Sequence, residues 1–241
     1  MAGLDLMLIL KCCGHSEEDA EINSIISQAQ FYGYQPIIKS PCDIESLEED
    51  LREGIRYKYL FLSAHGDENG FQNESDSLNV SWSDFGRIIC ETECLSEEAI
   101  LLLSCCRGGL NEIAYEMFDS CPYIEYICGP RQNIESSESI IGFSILLFNM
   151  IYRGLDPVLA CDYIEKGVNI RFKCFDRMET MSDPGYLLRM PVEVVQERNE
   201  PTHVININAD SFLLKSNTPK EVLEIFRESI NRLIDEKTQV M

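Results

Sequence analysis

Basic side chains are scarce in this sequence. Its 241 residues hold 20 Lys and Arg against 41 Asp and Glu, a formal net charge of -21. Phosphate backbones are held by Lys and Arg, so this balance argues against a nucleic-acid binder. It equally disfavours docking on anionic lipid. No apolar run reaches the roughly 20 residues a membrane-spanning helix needs; the longest lies near Ser139 to Tyr152. No secretory signal pattern opens the sequence. The 11 cysteines are odd in number and include no C-x-x-C pair, and Cys90, Cys128 and Cys174 sit in core-like runs. Reduced thiols in a cytoplasmic protein are therefore expected, not a disulfide framework. Cys12, Cys13 and His15 lie close together, but a fourth ligand at zinc spacing is missing, so neither metal nor cofactor is expected. Also absent are a G-x-S-x-G elbow, a phosphate loop, a G-x-G-x-x-G turn and any internal repeat.

Present instead is an alternation of strand and helix patterns. Leu4 to Cys12 reads as a strand, and Glu17 to Tyr32 as a helix with Ile22, Ile25, Ile26 and Ala29 on one face. A short strand, Tyr34 to Lys39, and an acidic helix, Asp43 to Glu53, follow. Tyr57 to Gly66 and Ala99 to Gly109 are apolar strands of the kind buried on both faces of a parallel sheet. Between them, Asp67 to Asn79 is polar and without period, so it reads as a mobile surface loop overhanging the end of the first strand. Helices are expected near Ser83 to Cys94, Asn111 to Phe118, Ser137 to Tyr152 and from Pro157 to Gly167. Strands are expected at Tyr123 to Cys128 and Ile170 to Phe175. The fold class is α/β: a mostly parallel sheet flanked by helices on both faces. The division expected is a main domain over 1–176 and a small α/β extension over 177–241. That extension has a loop near Asp183-Pro184-Gly185, strand-like patches at Val192 to Val195 and His203 to Asn208, and a helix capped at Thr218-Pro219.

In such sheets ligands bind at the carboxyl ends of the strands. One long apolar strand ends in His65-Gly66 and the other in Cys105-Cys106-Arg107-Gly108-Gly109. Each feature alone has an ordinary structural explanation, since buried cysteines usually fill cores. Their conjunction at two strand ends is what a cysteine nucleophile with a histidine acid/base requires. Gly66 would let a backbone N–H approach a substrate oxygen, and with the Cys106 N–H form an oxyanion hole.

These residues carry a resemblance. Cys106-Arg107-Gly108 is similar to the caspase C-[RQG]-G core, with Ser104-Cys105 where caspases have Gln-Ala and a histidine upstream at a comparable distance. The nearer likeness is to the CHAT family of caspase-like peptidases, over about residues 4 to 168. It rests on Ala64-His65-Gly66, Ser104-Cys105-Cys106, Ile127-Cys128-Gly129, Tyr152-Arg153-Gly154 and Pro157-Val158-Leu159-Ala160 in that order. The resemblance implies a caspase-like fold, His65 as acid/base, Cys106 as nucleophile, and amide hydrolysis through a thioester acyl-enzyme. Ser104 would replace a residue that shapes the primary specificity pocket, so aspartate specificity does not carry over. The short stretch between Ser120 and Tyr123 leaves no room for the cleavable linker between caspase subunits. Asp67 and Arg131 are the further candidates for substrate contact, the one favouring a basic and the other an acidic substrate residue. A protein substrate is implied, with control by a partner, a sensor or a ligand, and the family association is with bacterial antiviral defence and cell death. The alternatives are a catalytically inactive caspase-like binding module and an unrelated α/β hydrolase; the intact His–Cys pair and the missing motifs count against them.

Overall fold

The structure is a computed structural model that describes residues 5–168 and 170–182, with the backbone of 192–193 and 204–205. The strands follow the apolar runs: β1 (Leu6–Lys11), β2 (Gln35–Lys39), β3 (Tyr57–Ser63), β7 (Leu95–Ser104), β8 (Ile124–Pro130) and β9 (Phe172–Asp176) make one six-stranded sheet. Its order is β2-β1-β3-β7-β8-β9. All neighbours are parallel except β9, which runs antiparallel to β8 at the edge.

Period-two alternation divides each strand between two faces. Leu8, Leu10, Leu60, Leu62, Leu101 and Leu103 pack on one side, under α2 (Ile44–Leu51), α3 (Trp82–Thr92) and α4 (Asn111–Ser120). Met7, Ile9, Phe61 and Leu102 pack on the other, under α1 (Glu18–Phe31), α5 (Ser136–Leu147) and α6 (Pro157–Val168). Helix starts follow local chemistry. Asp43 caps α2 by accepting the Ser46 N–H, while Ser46 Oγ accepts the Asp43 N–H in return. Asp156 accepts the Val158 N–H ahead of α6, where Pro157 occupies the first turn. The apolar helix expected to Tyr152 ends as α5 and then continues as a π-helical turn, Phe148–Tyr152. None of the described helices is long and apolar enough to cross a membrane.

The expected polar loop at Asp67 to Asn79 is corrected by the structure. Gly70–Gln72 within it form a strand, β5, in the middle of a small antiparallel sheet with β4 (His65–Gly66) and β6 (Asn79–Ser81), and the residues between the strands are turns and irregular chain. Phe71, Leu78 and Val80 are buried, and the Phe71 ring meets Phe85 edge-on at 4.9 Å and Trp82 at 5.6 Å. Two aromatic contacts and full burial of Phe71 outweigh the polar character of the intervening residues.

The chain forms two compact units, 1–184 and 185–241. α7 (Arg177–Ser182) belongs to the first, where Arg177 donates to the Phe118 and Cys121 carbonyls at 2.6 and 2.9 Å. In the second, β10 (Val192–Glu193) pairs antiparallel with β11 (Val204–Ile205). The expected loop at Asp183-Pro184-Gly185 and the helix from Thr218 lie outside the described residues.

Candidate active site

Parallel pairing fixes which residues meet at the carboxyl edge. Lys11 is in register with Ser63, and Ser63 with Ser104. The ladder runs one step further, with the Cys12 N–H bonded to the Ser63 carbonyl (2.8 Å) and the Ala64 N–H to the Ser104 carbonyl (3.3 Å). Cys13, His65 and Cys106 each stand two residues beyond this matched row, on three adjacent strands.

His65 is exposed and its Nε2 lies 3.3 Å from Cys13 Sγ. Cys106 is half-buried, with its thiol 3.8 Å from the Ile134 carbonyl in the segment leading to α5. Cys105 points the other way. It is 2% exposed, and burial pushes its thiol well above the ordinary range. Its side chain fills the space beside two glycines: a Cβ on Gly66 would lie 2.9 Å from Cys105 Cβ, and one on Gly108 2.9 Å from its Sγ. Gly66 is thus required for packing, a reason other than the substrate approach expected from sequence. Gly66 sits opposite Phe71, and Asp67 N–H bonds to the Gly70 carbonyl. Ladder alternation therefore turns the Gly66 N–H away from β5.

After Cys106 the chain reverses tightly. Arg107 adopts φ +62°, and the N–H groups of Arg107, Gly108 and Gly109 bond to the carbonyls of Gln132, Cys105 and Pro130. A Cβ on Gly109 would come within 2.1 Å of the Gly129 carbonyl oxygen, so two backbones cross in contact there. Arg107 also pairs with Glu68 at 2.9 Å, tying this turn to the one between β4 and β5.

Beneath the row lies a buried carboxyl that the sequence reading did not single out. Glu21 on α1 is 4% exposed and accepts hydroxyl bonds from Ser63, Ser104 and Ser139. Burial raises its pKa, the three hydroxyls opposing in part. Ser104, expected to shape a substrate pocket, is itself buried, with its hydroxyl engaged by Glu21. Its place is in the interior under the site. Glu21 and Glu18 fall on the α1 face with Ile22, Ile25 and Ala29, and that helical spacing was the available signal.

Asp67 is exposed, and its carboxylate closes a turn by accepting the Asn69 and Gly70 N–H groups. Arg131 is half-buried just past β8, its N–H bonded to the Arg171 carbonyl. Asp67 directly follows the His65–Gly66 pair, and Arg131 precedes Gln132, whose carbonyl accepts the Arg107 N–H. Among the described residues no group of three or more His, Cys, Asp or Glu could hold a metal ion. A depression of about 350 Å³ lined by Lys58, Tyr59, Glu125 and Tyr126 lies toward the amino ends of the strands, at the opposite edge from His65.

No protein-family model matches the sequence, and no curated protein does. A match comes from solved structures: the secreted C11 cysteine protease "iotapain" from Bacteroides thetaiotaomicron, with TM-score 0.57. Sequence identity is 10%, and the match covers 75% of this chain and 68% of that one. The fold is caspase-like. At this identity the likeness speaks for the fold, and the chemistry has to be argued from the residues at the edge.

Proposed function

We propose that the protein is a cysteine endopeptidase in which Cys106 is the nucleophile and His65 the acid/base. The observation that carries this reading is the placement of the two residues at the carboxyl ends of adjacent parallel strands, in matched register, in a caspase-like fold. The Cys106 thiolate attacks the scissile carbonyl carbon, and the Gly66 and Cys106 N–H groups take the developing oxyanion. His65 gives the leaving amine its proton, and water then hydrolyses the thioester. Asp67 and Arg131 border the entrance and bias the choice of substrate side chain.

In this structure the Cys106 thiol is engaged by the Ile134 carbonyl. That arrangement fits a peptidase acting on few proteins and awaiting a partner or ligand that rearranges the segment around 131–135. The CHAT resemblance, a cytoplasmic location and a role in bacterial defence or cell death belong to this proposal, as does a regulatory or accessory role for the extension over 177–241.

A mixture of peptidyl chloromethyl ketones, read by mass spectrometry of the labelled peptide, tests the assignment. Label is expected on Cys106, lost in Cys106→Ala and kept in Cys105→Ala. Label on Cys105 instead would place the strand one residue out of register. No label under any activating condition would favour the inactive binding module.

A further inference from the structure

We propose that Cys13 is the positioning residue for His65, holding ring nitrogen Nε2 so that Nδ1 is presented to Cys106. The proposal rests on the reading of His65 and Cys106 as the reacting pair. Three observations carry it. The first is the 3.3 Å contact between Cys13 Sγ and His65 Nε2. The second is the sheet order, in which β3 lies between β1 and β7. With neighbouring strands about 4.8 Å apart, the strand end that leads to His65 lies between the strand ends that lead to Cys13 and to Cys106. The two ring nitrogens point to diverging sides, so a ring anchored through Nε2 toward β1 turns Nδ1 toward β7.

The third observation is how firmly Cys13 itself is held. Its N–H and that of Gly14 donate to the two oxygens of Glu18, each at 2.8 Å, and its carbonyl accepts the Glu74 N–H at 2.9 Å. Glu18 is 2% exposed, and Gly14 has φ +83°, a conformation that lets two successive N–H groups reach one carboxylate. The residue is clamped by α1, by the segment after β5 and by the histidine. A general acid/base needs such an orienting group, because a freely rotating ring spends little time aimed at its partner.

A thiol suits the task chemically. Burial pushes Cys13 up to about 11, with the Glu18, Glu21 and Glu74 carboxylates adding to the effect, so it is protonated at neutral pH. With Nδ1 unprotonated to receive the Cys106 proton, Nε2 carries the ring hydrogen and donates to the Cys13 sulfur, a weak acceptor, and it still does so when the ring is charged. The anchor therefore holds while Nδ1 takes the Cys106 proton and passes it to the leaving amine. Cys13 neither gains nor loses a proton over the cycle.

The test needs no substrate. Alkylation of Cys106 by iodoacetamide is followed peptide by peptide from pH 5 to 9 in the full chain. Wild type, Cys13→Ala, Cys13→Ser and His65→Ala are compared, each checked for a native unfolding transition. Cys13→Ala is expected to slow Cys106 alkylation at pH 7 about tenfold and to move its pH profile toward that of His65→Ala. Cys13→Ser, which keeps a donor and an acceptor, is expected to restore most of the rate. An unchanged profile in Cys13→Ala would overturn the proposal, as would a serine variant no better than alanine. So would a fast, His65-dependent reaction at Cys13 itself with Cys106 indifferent to His65, which would make Cys13 the nucleophile. A chain with the Cys13-dependent profile that cleaves no protein would retain this positioning role and end the peptidase reading alone.

Discussion

Successive side chains of an extended strand point to opposite faces, and at the end of β7 this sends two neighbouring thiols into different surroundings. Cys105 is packed between Gly66 and Gly108, whereas Cys106 stays half-exposed at the sheet edge. Cys105→Ala is expected to leave Cys106 reactivity intact, at a stability cost of about 1 kcal/mol, readable by denaturant unfolding. Glu21 supplies a second residue-scale expectation. Its pKa is raised above the ordinary 4.5, so the folded state binds its proton more tightly than the unfolded chain does. Stability from this group is complete below pH 4.5 and declines as pH rises through the folded value. Glu21→Gln should flatten that limb in thermal unfolding between pH 4 and 8. A wild-type limb preserved in the variant would assign the pH dependence to other groups.

Among the elements, the strands and helices of the central sheet were legible because their patterns are long. β3, β7 from Ala99 onward and β8 are largely apolar, and α6 carries both Asp156 and Pro157 at its start. The β4–β6 sheet was not legible: its strands have two or three residues, and its buried side chains are scattered through acidic sequence. Nor could the direction of β9 be read, because it depends on how the chain returns after α6. Glu18 and Glu21 lie at the correct spacing for the buried face of α1, and only their charge hid them. The same limit kept Cys13 out of the candidate site, since its place beside His65 follows from strand order and not from any local pattern. Phe71, with its ring against Phe85 and Trp82, anchors the small sheet. Phe71→Ala is expected to destabilise the protein by about 3–5 kcal/mol. Amides of β5 and β6 should exchange slowly in the wild type; exchange there as fast as in open loops would contradict the packing. At the turn after Cys106, Gly109→Ala forces a Cβ onto the Gly129 carbonyl. A loss of about 1–3 kcal/mol is expected, seen as a lower unfolding midpoint.

At the scale of the whole molecule, an acidic chain with a caspase-like sheet gathers the proposed site residues at one edge, where β1, β3 and β7 end together. The α1 and α5 helices brace that edge from below through Glu21 and Ser139. The turn after β7 closes it from the side through the Arg107–Glu68 pair. Such a scaffold supports either peptide hydrolysis or protein binding, and what separates the two is covalent turnover at Cys106. The most direct measurement is proteome-wide mapping of new protein N-termini in cells expressing the wild-type chain, Cys106→Ala or His65→Ala. Under an activating condition, the wild type is expected to generate a small set of new N-termini, absent from both variants. The same set in Cys106→Ala, or none in the wild type under any condition tested, would contradict a peptidase built on these two residues.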